Sequence, residues 1–248
     1  MMGGKAMSFL NMIDRFKANR SGCTAVVVAA GSSQRMGQDK MFLPVAGIPV
    51  LARTLMQFQR CGEIDEILVV TREEKIVEVA DLCKQYGIDK ATKVLLGGKE
   101  RSESSAAGVF QTAESSGYIA IADGARPLVT PELIAQTVQA ARKYRAAAPA
   151  VPVKDTIKVV ENGVVTDTPD RATLRAVQTP QVFEADLIKG ALTNAIEKKL
   201  PLTDDCSAVE AMGFPVHLIE GSYENLKITT REDLALAEAF LAARGVRK

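Results

Sequence analysis

Arg35 and Lys40 close the stretch AVVVAAGSSQRMGQDK, residues 25 to 40, where an apolar run gives way to small side chains. A guanidinium is a planar fork of donors and an ammonium a compact point charge, so together they suit an anion with several oxygens. Ala29, Ala30 and Gly31 come just before, and side chains that small let backbone N–H groups curl around a phosphate. The segment reads as a phosphate loop, or else as a glycine turn with two solvated basic residues. Two familiar phosphate loops do not fit it. GxGxxG fails because the stretch holds only Gly31 and Gly37, and GxxxxGK[ST] fails because Gln38-Asp39 follows Gly37.

Further residues of the same kind follow downstream. GGKERSES (Gly97 to Ser104) opens a helical pattern, and IADGARPLVT (Ile121 to Thr130) follows an apolar run. Asp123 in the second stretch stands near Arg126. A carboxylate at a strand end suits Mg²⁺, which takes one or two carboxylates plus phosphate oxygens; the same two residues could equally be an ordinary Asp–Arg pair. Next come PVKDTIK (Pro152 to Lys158), DRATLRAVQTPQVF (Asp170 to Phe183), LTDDCSAVE (Leu202 to Glu210) and EGSYENLKITTREDL (Glu220 to Leu234). Asp204 and Asp205 read as the cap of the helix after them, in preference to acids supporting the site. His217 is the only histidine and lies on the strand-like PVHLIE, where packing is the expected role. No Ser–His or Cys–His arrangement is visible.

The totals narrow the choice of ligand. Lys plus Arg number 31 against 30 Asp plus Glu, so bulk charge attracts neither nucleic acid nor an anionic membrane. Any anion site must be a local cluster. No apolar run approaches the roughly 18–20 residues that span a bilayer, and Asn11 and Asp14 interrupt the N-terminus where a secretory signal would be apolar. Cys23, Cys61, Cys83 and Cys206 form no CxxC pair and, with one histidine, no zinc set. The expectation is a cytoplasmic protein with reduced thiols.

The elements that must position these residues alternate. Short β-branched runs (TAVVVA, EILVV, TKVLL, YIAIA, APAVPV) are separated by helical patterns near 49–61, 73–86, 102–115 and 131–145. Strands this apolar along their whole length belong in a parallel sheet covered on both faces, so the fold class is α/β, a doubly wound and mostly parallel sheet. In such sheets ligands bind at the carboxyl ends of the strands, where the stretches above fall. Phe9, Met12, Ile13 and Phe16 predict a short amphipathic helix over 8–18, in an N-terminal extension of residues 1–22 that docks on the body in preference to binding a partner; residues 23–248 make one domain. Residues 155 to 175 break the rhythm. Asn162-Gly163 between alternating Ile157, Val159 and Val164 predicts a hairpin, read as a β-arm projecting from the sheet or as a surface hairpin without a role. Helices near 184–198 and 231–244 close the chain, the last capped at Thr230 with Glu232 and Asp233 in its first turn.

The pattern AAGxxxRMGxxK resembles the signature loop of nucleotidyltransferases that move a nucleoside monophosphate from an NTP onto a sugar or alcohol. With the later stretches, in this order and spacing, residues 24 to 244 closely resemble the 2-C-methyl-D-erythritol 4-phosphate cytidylyltransferases of the non-mevalonate isoprenoid pathway. The resemblance implies a Rossmann-like fold of the nucleotide-diphospho-sugar transferase type and transfer of CMP from CTP to methylerythritol phosphate. It casts Ala29, Ala30 and Gly31, with Arg35 and Lys40, around the triphosphate, and Lys227 as a second cation aimed at the α-phosphate. Gly97, Gly98 and Ser104 become the cytosine pocket, Asp123 the Mg²⁺ ligand, and Arg126, Thr156, Arg171 and Thr179 the binding residues for methylerythritol phosphate. Arg101 touches phosphate or is structural. The arm is implied to cross to a second subunit, giving a homodimer with shared sites. Three positions depart from the family pattern: Gly124, which makes its loop more permissive, Met41 after the loop lysine, and Glu224, which leaves a second metal ligand open. The rivals are a ribitol-5-phosphate cytidylyltransferase, a molybdopterin-type transferase, a dinucleotide-binding protein and a catalytically silent nucleotide binder.

Overall fold

The structure, a computed structural model, describes residues 21–31 and 39–246. The helix expected over 8–18 and Arg35 lie outside the described residues. The central sheet is built from β1 (Gly22–Val28), β4 (Glu66–Thr71), β5 (Ala91–Leu96), β6 (Ser116–Asp123), β7 (Ala146–Pro152), β10 (Arg175–Val177), β11 (Gln181–Glu184) and β12 (His217–Glu220). Two small hairpins flank it: β2 (Pro44–Val45) with β3 (Ile48–Pro49), and β8 (Val159–Glu161) with β9 (Val164–Asp167). The order along the sheet is β10-β7-β11-β6-β1-β4-β5, with β12 on β7. β1 pairs in parallel with β4 and β6, whereas β11 is antiparallel to both β6 and β7.

β1 shows why these strands look apolar throughout. Ala25 and Val27 face one core and Val26 and Val28 the other, all of them buried. The first core is covered by α1 (Val50–Arg60), α2 (Ile76–Gln85), α4 (Pro131–Tyr144) and α7 (Arg231–Ala243). The second lies under α3 (Arg101–Val109), α5 (Ala185–Glu197) and α6 (Asp205–Glu210). Alternation of period two thus serves two apolar faces, and the doubly wound sheet expected from the sequence is what forms. The exceptions lie at the margins of the sheet: the edge strand β5 is half exposed, and β10 and β12 are exposed for most of their length. The helix expected over 102–115 stops at Val109, and that over 73–86 opens with a 3-10 turn at Glu73–Lys75.

The hairpin forms where Asn162-Gly163 predicted it. Both residues have positive φ, 50° and 79°, the geometry of a tight two-residue connection whose twist matches its strands. β8 and β9 pair only with each other and are exposed along their length.

Candidate active site

β6 ends in Asp123, opposite Val28 at the end of β1. The main chain of the β1 loop is fixed by Ala29, whose N–H donates to Val70 O at 2.7 Å. A cavity of about 180 Å³ opens at these strand ends, and its walls include Ala30, Gly31, Lys40, Gly98, Ser104, Asp123 and Lys227. Seven residues marked in the sequence therefore meet in one place, joined by Met41 and Arg101. Ala29 and Gly97 lie just behind: a Cβ on Gly97 would come within 2.7 Å of both Ala30 Cβ and Ser104 Oγ.

The turn before α3 is held by the helix it starts. Glu100 and Glu103 form a reciprocal capping box, with Lys99 N–H donating to Glu103 Oε2 at 2.6 Å. Ser104 Oγ accepts from Gly98 N–H at 3.1 Å and bonds to Glu100 O at 3.1 Å. A Cβ on Gly98 would lie 2.3 Å from Glu103 Cβ, so only glycine lets the turn close on the helix. The result is a narrow wall of backbone polar groups and one hydroxyl.

Asp123 is the electrostatic centre. Its Oδ2 lies 3.0 Å from Lys227 Nζ and 3.6 Å from Arg126 Nε, and its Oδ1 accepts from Arg101 Nε at 3.1 Å. Its own N–H donates to Thr179 Oγ1 at 3.0 Å. Burial alone would raise this carboxyl, but Arg101, Lys227 and Arg126 outweigh it and hold it at about 2 against an ordinary 3.8. Asp123 is therefore ionised throughout the neutral range.

Arg101 is the residue whose role the sequence left open. It bridges Asp123 and Asp205, the latter at 2.8 Å from Arg101 Nη1 and fully buried. Burial pushes the Asp205 carboxyl up, with Arg101 acting against that. The expectation that both acids of TDDC cap the helix is half correct. Asp204 is the cap, accepting from Ser207 N–H at 2.9 Å, while Asp205 turns inward to the arginine. Nothing in two adjacent aspartates says which one turns. Gln181, another residue not singled out, fixes that helix start by accepting from Asp205 and Cys206 N–H at 3.0 Å each.

Lys227 rides on a segment tied down at both sides. Asn225 Nδ2 donates to Thr179 O at 3.1 Å, and Ile228 N–H donates to Ala125 O at 2.8 Å. Lys40 Nζ in turn donates to Ile228 O at 2.7 Å, so the two lysines are held by one stretch of main chain. Arg126 is buried against this stretch, its Nη1 donating to Asn225 O at 2.6 Å. Arg126 and Thr179 thus hold Asp123 and its surroundings and do not line the cavity. Thr156 and Arg171 are exposed on the arm, where Arg171 Nη1 donates to Lys154 O at 2.6 Å. They are not brought to the cavity within one chain.

Gly124 is not permissive: its N–H donates to Val28 O at 2.8 Å, and its carbonyl accepts from Thr54 Oγ1 at 2.9 Å. Met41 packs into the core. Glu224 faces away from the cavity onto Arg244, at 2.6 Å. His217 stacks on Tyr144 with ring centroids 3.9 Å apart, which is packing. No group of three or more His, Cys, Asp or Glu able to hold a metal occurs among the described residues. One ionised carboxylate suits a hard cation that arrives with most of its oxygen ligands already on a phosphate.

Backbone donors and fixed cations gathered at the strand ends of a doubly wound sheet meet the needs of a reaction at a triphosphate, and the class they define is the nucleotidyltransferases. Comparison with known proteins carries this to the family. The sequence profile of 2-C-methyl-D-erythritol 4-phosphate cytidylyltransferase matches residues 23–243, and the chain belongs to that family. A cytidylyltransferase of that name from Caldanaerobacter subterraneus subsp. tengcongensis is 47% identical over 222 residues, 88% of this chain and 98% of the relative. One from Halalkalibacterium halodurans is 44% identical over 223 residues, 89% and 97% of the two chains. Among solved structures, 4-diphosphocytidyl-2C-methyl-D-erythritol synthase from Anaerococcus prevotii superposes with a TM-score of 0.80 at 31% identity, covering 91% of this chain and 98% of that one.

Proposed function

We propose that this enzyme transfers CMP from CTP to 2-C-methyl-D-erythritol 4-phosphate, releasing pyrophosphate, in isoprenoid precursor synthesis. The observation that carries the reading is the convergence of Lys40 and Lys227 on the cavity that Asp123 and the Gly98–Ser104 turn also line. The phosphate oxygen of methylerythritol phosphate attacks the α-phosphorus of CTP, and the bond to pyrophosphate breaks. A phosphate monoester is already ionised near neutral pH, so the step needs no strong base, in keeping with a chain whose one histidine is stacked on a tyrosine. The difficulty is charge: an anion must approach an anion. Around Asp123 and Asp205 stand Lys40, Arg101, Arg126 and Lys227, four cations against two carboxylates, which leaves a positive excess for the triphosphate.

The Gly98 carbonyl and Ser104 hydroxyl suit the edge of cytosine, and the narrowness of that turn leaves no room for a purine. A wrong base would leave buried polar groups without partners. Asp123 would hold Mg²⁺, which when bound neutralises phosphate charge. Arg35 joins Lys40 on the triphosphate, and Thr156 and Arg171 take the polyol phosphate, while Arg126 and Thr179 support that end from behind the cavity wall through Asp123.

The arm supports a homodimer. Val159, Val160, Val164 and Val165 are exposed on a two-stranded hairpin, Val164 at 66%, and an isolated hairpin is marginal in water. A second copy of the chain would cover these side chains and bring Thr156 and Arg171 to a cavity they do not reach in their own subunit. No helix among the described residues is long and apolar enough to cross a membrane, in line with a cytoplasmic enzyme.

The test is pyrophosphate release by the purified chain with Mg²⁺ and CTP, adding methylerythritol phosphate or ribitol 5-phosphate in parallel. Release with methylerythritol phosphate alone is expected. Release with ribitol 5-phosphate alone would keep the mechanism and overturn the substrate.

A further inference from the structure

Asp39 is an acid where the ligand wants none. It immediately precedes Lys40, whose side chain lines the cavity, and a carboxylate beside a triphosphate-binding lysine repels the triphosphate. Its Oδ1 accepts from Met41 N–H at 3.1 Å, and its carbonyl accepts from Phe42 N–H at 3.1 Å, which closes the turn that carries Lys40. An asparagine would close that turn equally well, so the negative charge serves some other end. Facing it is Arg72, the first residue after β4, with Nη2 2.5 Å from Asp39 Oδ2. Arg72 Nε also reaches Glu74 Oε1 at 3.0 Å. The side chains of Arg72 and Asp39 are 24% and 17% exposed, and Arg72 is not part of the cavity wall.

We propose that Arg72 is a positioning residue for nucleotide binding. Anchored at the carboxyl end of β4, it neutralises Asp39 and holds that carboxylate on its own side of the turn, so that Lys40 meets the triphosphate without a competing anion. β4 is buried and paired on both sides, by β1 and β5, so the pair ties the turn to the rigid part of the sheet. A pair this close to solvent adds little to stability, which leaves its charge and geometry as the features that matter. The inference rests on the reading of the cavity as a CTP site.

Calorimetric titration of the full chain with CTP and Mg²⁺, without acceptor, tests it apart from turnover. Arg72→Gln should raise the Kd for CTP about tenfold, the effect of one unneutralised charge near a polyanion. Asp39→Asn should bind at least as tightly as wild type. The double variant should return to within about threefold of wild type, since the charge that Arg72 neutralised is gone. Arg72→Lys, which keeps the cation, should stay near wild type, and it serves as the probe if Arg72→Gln folds poorly. Binding unchanged in Arg72→Gln, or a double variant as weak as Arg72→Gln, overturns the inference while leaving the CTP site standing. Wild-type protein that binds no CTP removes the site itself, and the inference with it.

Discussion

Asp123 and the arm are opposites in the same chain. Asp123 is buried, meets three cations and donates its N–H to Thr179 Oγ1, so its position is set several times over. The arm holds itself by one short hairpin and a few local bonds such as Arg171 to Lys154, and its valines face solvent. The first region lies at the centre of a sheet covered on both faces, where preorganised charge costs nothing at the moment of reaction. The second carries exposed apolar side chains that a partner would cover. On the proposed reading the difference separates two tasks: one chain would build the nucleotide end of the site by itself, and a neighbour would complete the acceptor end.

The largest effects should come from the rigid end. Lys227→Ala and Lys40→Ala should each lower turnover about 10²–10³-fold while the melting temperature stays near wild type. Turnover within a few-fold of wild type would remove them from the mechanism. At the arm, Arg171→Ala should raise KM for methylerythritol phosphate about tenfold and leave CTP affinity unchanged; loss of CTP affinity instead would show the arm serving the wrong end. A smaller effect concerns acid. The folded carboxyl of Asp123 lies below its unfolded value, so its contribution to stability is complete above about pH 4 and is lost as pH falls through about 2. Melting curves should show Asp123→Asn losing less stability than wild type across that window. The smallest expected effect is none. All four thiols are buried, and burial raises each of them, Cys83 to about 11. Iodoacetamide at pH 8 should leave the native protein unlabelled, and a labelled cysteine in folded protein would contradict this packing.

Much of the framework was legible because it is local. β1 announces two covered faces by its unbroken apolar run, Asn162-Gly163 announces its hairpin, and the cap at Thr230 is completed by Asp233 three residues on. What escaped was long-range. Arg101 and Asp205 are far apart in sequence and meet only because α3 and α6 share one face of the sheet. The strands Arg175–Val177 and Gln181–Glu184 are three and four residues long on either side of Thr179-Pro180, too short for a periodicity to show. The antiparallel strand between β6 and β7 is therefore visible only in the fold. The same holds for Lys40 and Lys227, each recognisable as a cation, whose shared anchor at Ile228 depends on the chain's last crossing of the site.

The division between a self-sufficient nucleotide end and a borrowed acceptor end is tested most directly by mixing two damaged chains. Lys227→Ala keeps an intact arm, and Arg171→Ala keeps an intact nucleotide end. Co-expressed and assayed at low methylerythritol phosphate, the two should form mixed dimers in which one of the two sites has both intact parts. Activity should rise well above either variant alone, to roughly a quarter of wild type for random pairing in a symmetric dimer. Activity no greater than the average of the separate variants would mean that each chain supplies its own arm, and the account would fail at its centre.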